Sequence, residues 1–174
     1  AVTTTYTVAG TSLGCSSTAT VTVSVNPLPV VNAGADQTVC FGDAVVLSGS
    51  GAATYVWSDG VSNNVSFSGT TTTTYTVSGL NAEGCMATDQ VTVTVVQKPV
   101  IAVTPSSNVG CVPVSVDFEN NTTGAINYEW DFGDGTTSTS ANPSHAYSTT
   151  GCFDVTLTAY TSGGCAATQV FQDM

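Results

Sequence analysis

TTTYTV at residues 3–8 returns unchanged at residues 72–77. Each copy leads through a small polar turn to a Gly-Cys pair, Gly14-Cys15 and Gly84-Cys85, and then to an alternating stretch, TVTVSV at 20–25 and QVTVTV at 90–95. Alternation at period two places successive side chains on opposite faces of an extended chain, and β-branched Val and Thr lose side-chain freedom in a helix. The two stretches therefore read as one β-hairpin used twice. A looser third copy follows: Val155 to Leu157 precede Gly164-Cys165, and Tyr55-Val-Trp57-Ser-Asp-Gly60 returns as Tyr128-Glu-Trp130-Asp-Phe-Gly-Asp-Gly135. The repeating unit is about seventy to eighty residues long, a period that marks tandem architectures.

Outward from the hairpins the same pattern continues. Ala44 to Leu47, Thr54 to Trp57, Val65 to Phe67, Thr72 to Val77 and Val91 to Val95 all read as strands, with Gly, Asn, Asp and Pro breaking the pattern between them. No window carries a 3.6-residue period, so the expected fold class is all-β, as tandem β-sandwiches of short strands. Asn26-Pro-Leu-Pro29 and Gln97-Lys-Pro99 set the expected boundaries, because proline interrupts a strand ladder. This gives residues 27–97 as one sandwich and 98–174 as a second. Residues 1–26 match only the last two strands of the repeat, a hairpin unable to bury its apolar face alone in water. The expectation is that another part of a longer array, or another chain, completes it.

Charge narrows the function. The 174 residues hold one Lys or Arg, Lys98, against twelve Asp and Glu, for a net charge of -11. Nucleic-acid binding and attraction to anionic membranes both need clustered Lys and Arg, so both are excluded. No apolar run is long enough for a membrane-spanning helix, and no membrane insertion is expected. Ala1 starts directly in strand-like sequence, so any signal peptide is expected to be removed or to lie upstream. Six cysteines beside a single His, with no C-x-x-C pair, point to disulfides and an oxidising, extracellular setting.

Trp130-Asp-Phe-Gly-Asp-Gly135, then Asn142-Pro-Ser-His-Ala-Tyr147, then Gly151 and the strand Phe153 to Leu157, resemble a PKD domain over 98–174, with Cys152 a departure from that pattern. The second unit, with Cys40-Phe-Gly-Asp43, Tyr55-Val-Trp57, Thr72 to Val77 and Gly84-Cys85, resembles the immunoglobulin-like repeats of giant surface proteins from gliding, type IX-secreting bacteria. The resemblance implies a non-catalytic segment of an extracellular, cell-surface adhesin or stalk, whose partners are neighbouring repeats of the same polypeptide or other copies. Two alternatives stay open: a filament subunit completed by strand addition, and a carbohydrate-binding accessory module of a secreted enzyme, with surface glycans as partners.

Several side chains invite a chemical reading. Trp57 and Trp130 each share a strand face with a tyrosine two residues earlier, Tyr55 and Tyr128. Exposed, such pairs would stack sugars; buried, they are the core tryptophans of immunoglobulin-like sandwiches, the expected arrangement. Asp131, Asp134 and Asp117, near Glu119 and Asn120, offer hard oxygen ligands for calcium, the one cofactor considered, although Asp134-Gly135 is also a hairpin-turn signal needing no ion. Asp131-Phe-Gly133 has the letters of the kinase magnesium motif, and Gly49-Ser-Gly51 those of a nucleotide loop, but neither sits in the required strand, loop and helix context. His145 has no nucleophile or acid at a recognisable spacing and reads as structural. The run Thr70 to Thr74 reads as the entry to a strand. Asn64, Asn120 and Asn121 fit the N-x-[ST] pattern.

Repeat logic pairs Cys40 with Cys85 and Cys111 with Cys165, one bridge in each sandwich, and leaves Cys15 and Cys152 unpaired. Cys15 holds the position of Cys85, so its partner is expected before Ala1 or on another chain. Strand order in an immunoglobulin-like sandwich argues otherwise. Cys40 and Cys85 would sit at opposite poles, whereas bridged Cα atoms lie within about 7 Å and a strand spans roughly 17–20 Å. On that reading Cys40 meets Cys165 and Cys111 meets Cys152.

Overall fold

The computed structural model describes residues 2–173. These residues contain fifteen strands and no α-helix. In chain order the strands are β1 (Thr4–Ser12), β2 (Cys15–Val23), β3 (Gln37–Cys40), β4 (Ala44–Val46), β5 (Thr54–Trp57), β6 (Ser66–Ser68), β7 (Thr73–Leu80), β8 (Met86–Val96), β9 (Val103–Pro105), β10 (Val114–Asn120), β11 (Asn127–Asp131), β12 (Thr137–Ser138), β13 (Ser144–Tyr147), β14 (Val155–Tyr160) and β15 (Ala166–Phe171). The all-β architecture read from period-two alternation is the architecture of the molecule.

The strands form sheets in the orders β1-β2, β4-β6, β3-β8-β7-β5, β13-β10-β9 and β12-β11-β14-β15. Neighbours run antiparallel in the pairs described below, except β3 and β8, which are parallel with Gln37 beside Val93 and Cys40 beside Val96. Two compact units result. The first takes in 1–35, 46–67 and 74–92, and the second 36–45, 68–73 and 93–174. The units interleave rather than follow the proline-marked segments 27–97 and 98–174. The physical reason is local to the second unit. There β3 shares its ladder with residues 93–96, Gly42 and Gly69 are joined by a main-chain hydrogen bond of 2.8 Å, and Cys40 is covalently tied to Cys165.

In the first unit the core is built from Ala33, Leu47, Trp57, Tyr75, Val77 and Val91, all buried. Strand β7 buries every second residue, as its sequence requires of a one-sided strand. The indole Nε1–H of Trp57 donates to Asn63 Oδ1 at 3.0 Å, and the same oxygen accepts from the Gly49 amide at 2.7 Å, so the buried ring leaves no polar atom unpaired.

In the second unit, β13-β10-β9 and β12-β11-β14-β15 enclose a core of Val116, Phe118, Trp130, Phe132, Tyr147, Val155 and Leu157. Strand β14 alternates strictly, with Val155, Leu157 and Ala159 fully buried. Phe118 lies against both Trp130 and Phe132, at ring-centroid distances of 5.4 and 5.6 Å.

The hairpin β1-β2 is different in kind. Its register sets Tyr6 opposite Val21, Val8 opposite Ala19 and Thr4 opposite Val23, so these side chains share one face, while Thr5, Thr7, Thr20 and Thr22 share the other. Every residue of both strands is exposed, the apolar face included.

Candidate functional site

The aspartate-rich turn after Trp130 is the densest polar feature of the second unit. Strands β11 and β12 pair through Trp130 with Ser138 and Asp131 with Thr137, so Asp134 and Gly135 sit at the tip of a five-residue connection rather than in a two-residue turn. The Phe132 amide closes the loop on the Thr136 carbonyl oxygen at 3.1 Å. Gly133 has φ of +77°, and a Cβ there would stand 2.7 Å from the Asp154 carbonyl oxygen, so both conformation and space demand glycine.

Each carboxylate here already has work inside the loop. Asp131 Oδ1 accepts from the Gly133 amide at 2.9 Å. Asp134 accepts from the Thr136 amide at 3.0 Å and the Thr136 hydroxyl at 2.6 Å, and meets His145 Nε2 at 2.8 Å. The Thr136 hydroxyl holds the Asp134 carboxyl below its usual range, aided by His145 and the Thr136 amide, while partial burial opposes them. Asp117 lies on β10, where its own amide donates to Ser106 Oγ at 2.9 Å. Among the described residues no group of three or more His, Cys, Asp or Glu side chains is gathered as a metal site, Asp131, Asp134 and Asp117 included.

His145 belongs to an aromatic ladder. Its ring stacks on Phe132 at 4.2 Å with planes 3° apart, meets Tyr147 edge-on at 4.5 Å, and Tyr147 stacks on Phe153 at 4.6 Å. Tyr147 donates to the Phe132 carbonyl oxygen, and burial, followed by the nearby Asp134 charge, pushes its hydroxyl up to about 12. The sequence reading missed this ladder. Its signal was the spacing: His145 and Tyr147 are two apart on one strand and so share a face. A cavity of about 320 Å³ opens beside it, with Val116, Phe118 and Phe153 on its apolar side and Thr149, Cys152 and Asp173 on its polar side.

Neither tryptophan offers a stacking platform. Trp57 is 5% exposed and Trp130 1%, and the Trp130 indole donates to the Ser140 carbonyl oxygen at 3.0 Å. Tyr55 turns its hydroxyl back onto the Ala52 amide and carbonyl, and Tyr128 packs on the second core.

The cysteines depart from the one-bridge-per-sandwich scheme. Cys40 is bonded to Cys165, 125 residues away and 1% exposed, whereas Cys15, Cys85, Cys111 and Cys152 are free thiols. Cys40 with Cys85 and Cys111 with Cys165 is thus corrected, and Cys111 is not bonded to Cys152. The reason is positional: Cys40 ends β3 beside Val96, while Cys85 opens the far end of β8, which runs Met86–Val96.

Comparison with known proteins finds similarity over the segment that carries the aspartate-rich turn and the ladder. The pattern of the PKD domain matches residues 96–174. Within the chain, 39 residues are 56% identical to the collagenase ColA of Bacillus cereus, covering 22% of this chain and 4% of that protein. The PKD1 domain of the Vibrio cholerae metalloprotease PrtV is 32% identical over 43% of this chain and 95% of that domain, with a TM-score of 0.36. The N-terminal eight Ig domains of the Down Syndrome Cell Adhesion Molecule cover 98% of this chain, and 31% of their own length, at 15% identity and a TM-score of 0.59, a likeness of fold alone. The chain therefore spans a small fraction of the collagenase it matches. PKD domains are typically non-catalytic modules, and the ladder around Tyr147 is a packing device in keeping with that. No helix among the described residues is long and apolar enough to cross a membrane.

Proposed function

We infer that this chain is a non-catalytic segment of a repetitive extracellular protein, an adhesin or stalk at the cell surface of the kind made by gliding, type IX-secreting bacteria. The observation that carries the reading is repetition of one structural part. The cross-strand hydroxyl pair Thr5 and Thr22, 3.0 Å apart, recurs as Thr74 and Thr92 at 3.1 Å, on hairpins whose sequences begin alike. A protein that reuses one hairpin beside a PKD domain is built by tandem duplication, and duplication produces length rather than an active site. The low content of charged side chains, the buried tryptophans and the long-range disulfide suit a rod that must persist outside the cell. Protease shaving of intact source cells tests it: release of peptides of this chain from a polypeptide much heavier than 174 residues is expected, and recovery only from the cell interior overturns it.

A second reading rests on a separate observation, the match to a collagenase and to a metalloprotease PKD1 domain. On that reading the chain is an accessory module beside a secreted hydrolase. A hydrolase domain in the same native polypeptide is its required finding.

A further inference from the structure

The two copies of the hairpin differ in one respect. Tyr75, Val77, Val91 and Val93 are 9%, 0%, 1% and 1% exposed, whereas their counterparts Tyr6, Val8, Val21 and Val23 are 59%, 67%, 61% and 48% exposed. The side chains and the hydroxyl pair behind them are the same, so the difference lies in what covers the face. Over the second copy the cover is visible. The Tyr75 ring meets Phe67 at 5.4 Å, Val77 stands so close to Gly49 that a Cβ there would lie 3.2 Å from it, and Trp57 on β5 sits opposite Val77.

The edges agree. Strand β8 continues to Val96, and its last four residues are those paired with β3. Strand β2 stops at Val23, the counterpart of Val93, where that pairing begins. The hairpin thus ends where a β3-like neighbour would have extended it.

Cys85 supplies an independent observation. In its turn the Asn81 amide donates to the Cys85 carbonyl at 3.0 Å, the Cys85 amide to the Asn81 side chain at 2.8 Å, and the Gly84 amide to the Asn81 carbonyl at 3.1 Å. Around Cys165 the same three bonds run between Thr161, Gly164 and Cys165 at 2.8, 3.0 and 3.1 Å, and Gly84 and Gly164 share φ of +79° and +78°. Cys165 in that turn is bonded to the cysteine that ends β3, while Cys85 in the identical turn is free and half-buried.

We propose that the apolar face of Tyr6, Val8, Val21 and Val23 is the seat of a half-sandwich equivalent to residues 37–68, carried by the same polypeptide, and that Cys85 forms a disulfide with the cysteine of that half-sandwich that corresponds to Cys40. Its β3-like strand runs parallel to the chain beyond Val23, and its β5-like strand places a tryptophan-type residue opposite Val8. A second copy of this chain does not fit, because its own 37–68 face is already covered by β7 and β8. The inference rests on the tandem reading above and adds to it the occupant, the register and the bond.

Hydroxyl-radical footprinting joined to non-reducing peptide mapping of the native polypeptide tests it. Tyr6 is expected to oxidise several-fold more slowly than in the isolated 174-residue chain, at a rate close to that of Tyr75, with Cys85 linked to a peptide resembling QTVCFGD at 37–43. A heavy polypeptide in which Tyr6 reacts as fast as in the isolated chain, or in which Cys85 is a free thiol or is joined to Cys15, Cys111 or Cys152, overturns the proposal while leaving the tandem reading intact. A native chain no longer than these residues overturns both, including when a second copy protects Tyr6.

Discussion

Tyr147 donates its hydroxyl proton to the main-chain oxygen of Phe132, 3.1 Å away, and both residues are buried. The bond fixes β13 to the loop that follows Trp130 and lets the ring carry the ladder from His145 to Phe153. Tyr147→Phe keeps the ring and strands a buried carbonyl, which costs about 1–3 kcal/mol. A urea titration followed by tryptophan fluorescence reads it as a lowered midpoint with unchanged slope.

The same hydroxyl sets an alkaline limit. Its ionisation is raised in the folded state to about 12 from an ordinary 10.0. A group whose folded value is raised gives stability that is complete below the unfolded value and is lost as pH climbs through the folded one. Stability is therefore expected to decline between pH 10 and about 12. Absorbance at 295 nm should show one tyrosine ionising late, and Tyr147→Phe should remove that phase.

At the acid end Asp134 works in the opposite sense. Its carboxyl is depressed by the Thr136 hydroxyl and by His145, so its contribution is present above the unfolded carboxylate value and lost as pH falls through the lower folded value. Asp134→Asn is expected to flatten the fall in thermal midpoint below about pH 4, the ordinary carboxylate range. An unchanged acid limb would contradict the assignment.

Gly133 is held at φ of +77° against Asp154. Gly133→Ala forces either the loop or the Asp154 main chain to move, a strain of about 1–3 kcal/mol from the backbone alone. Thermal unfolding should show the loss, whereas Gly135→Ala, with open space around its Cβ position, should lose less.

Reduction of the Cys40–Cys165 bond, or Cys165→Ser, releases a 125-residue closure. A loop of that length is expected to be worth about 2–5 kcal/mol through the unfolded chain. Calorimetry of oxidised and Cys165→Ser protein measures it. Peptide mapping of the isolated chain should find this linkage and four titratable thiols.

The fold was legible because alternation is a local property. Val155, Leu157 and Ala159 announce one buried face, and TTTYTV announces the same strand twice. The cysteine pairing was not legible from repeats. It depends on which strand ends meet, and β3 runs beside residues 93–96 and so brings Cys40 to Cys165 rather than to Cys85. The strand-pole argument reached that bond, although it also paired Cys111 with Cys152, which are free. Asp131 and Asp134 were ambiguous for a chemical reason. A carboxylate that caps its own turn and one that ligates calcium are the same residue in the same loop, and only the positions of Gly133, Thr136 and His145 tell them apart.

The disulfide has a mechanical consequence. Tension applied at the two ends of the chain enters at Cys40, crosses a single covalent bond and leaves at Cys165, so the segment between them is slack however hard the ends are drawn. Unravelled, that segment would reach roughly 400 Å at about 3.3–3.6 Å per residue. Under load the covalent path of the oxidised molecule can lengthen only through the strands outside the bridge, and the core from β9 to β14 feels the force only through the ladder that joins β15 to β14.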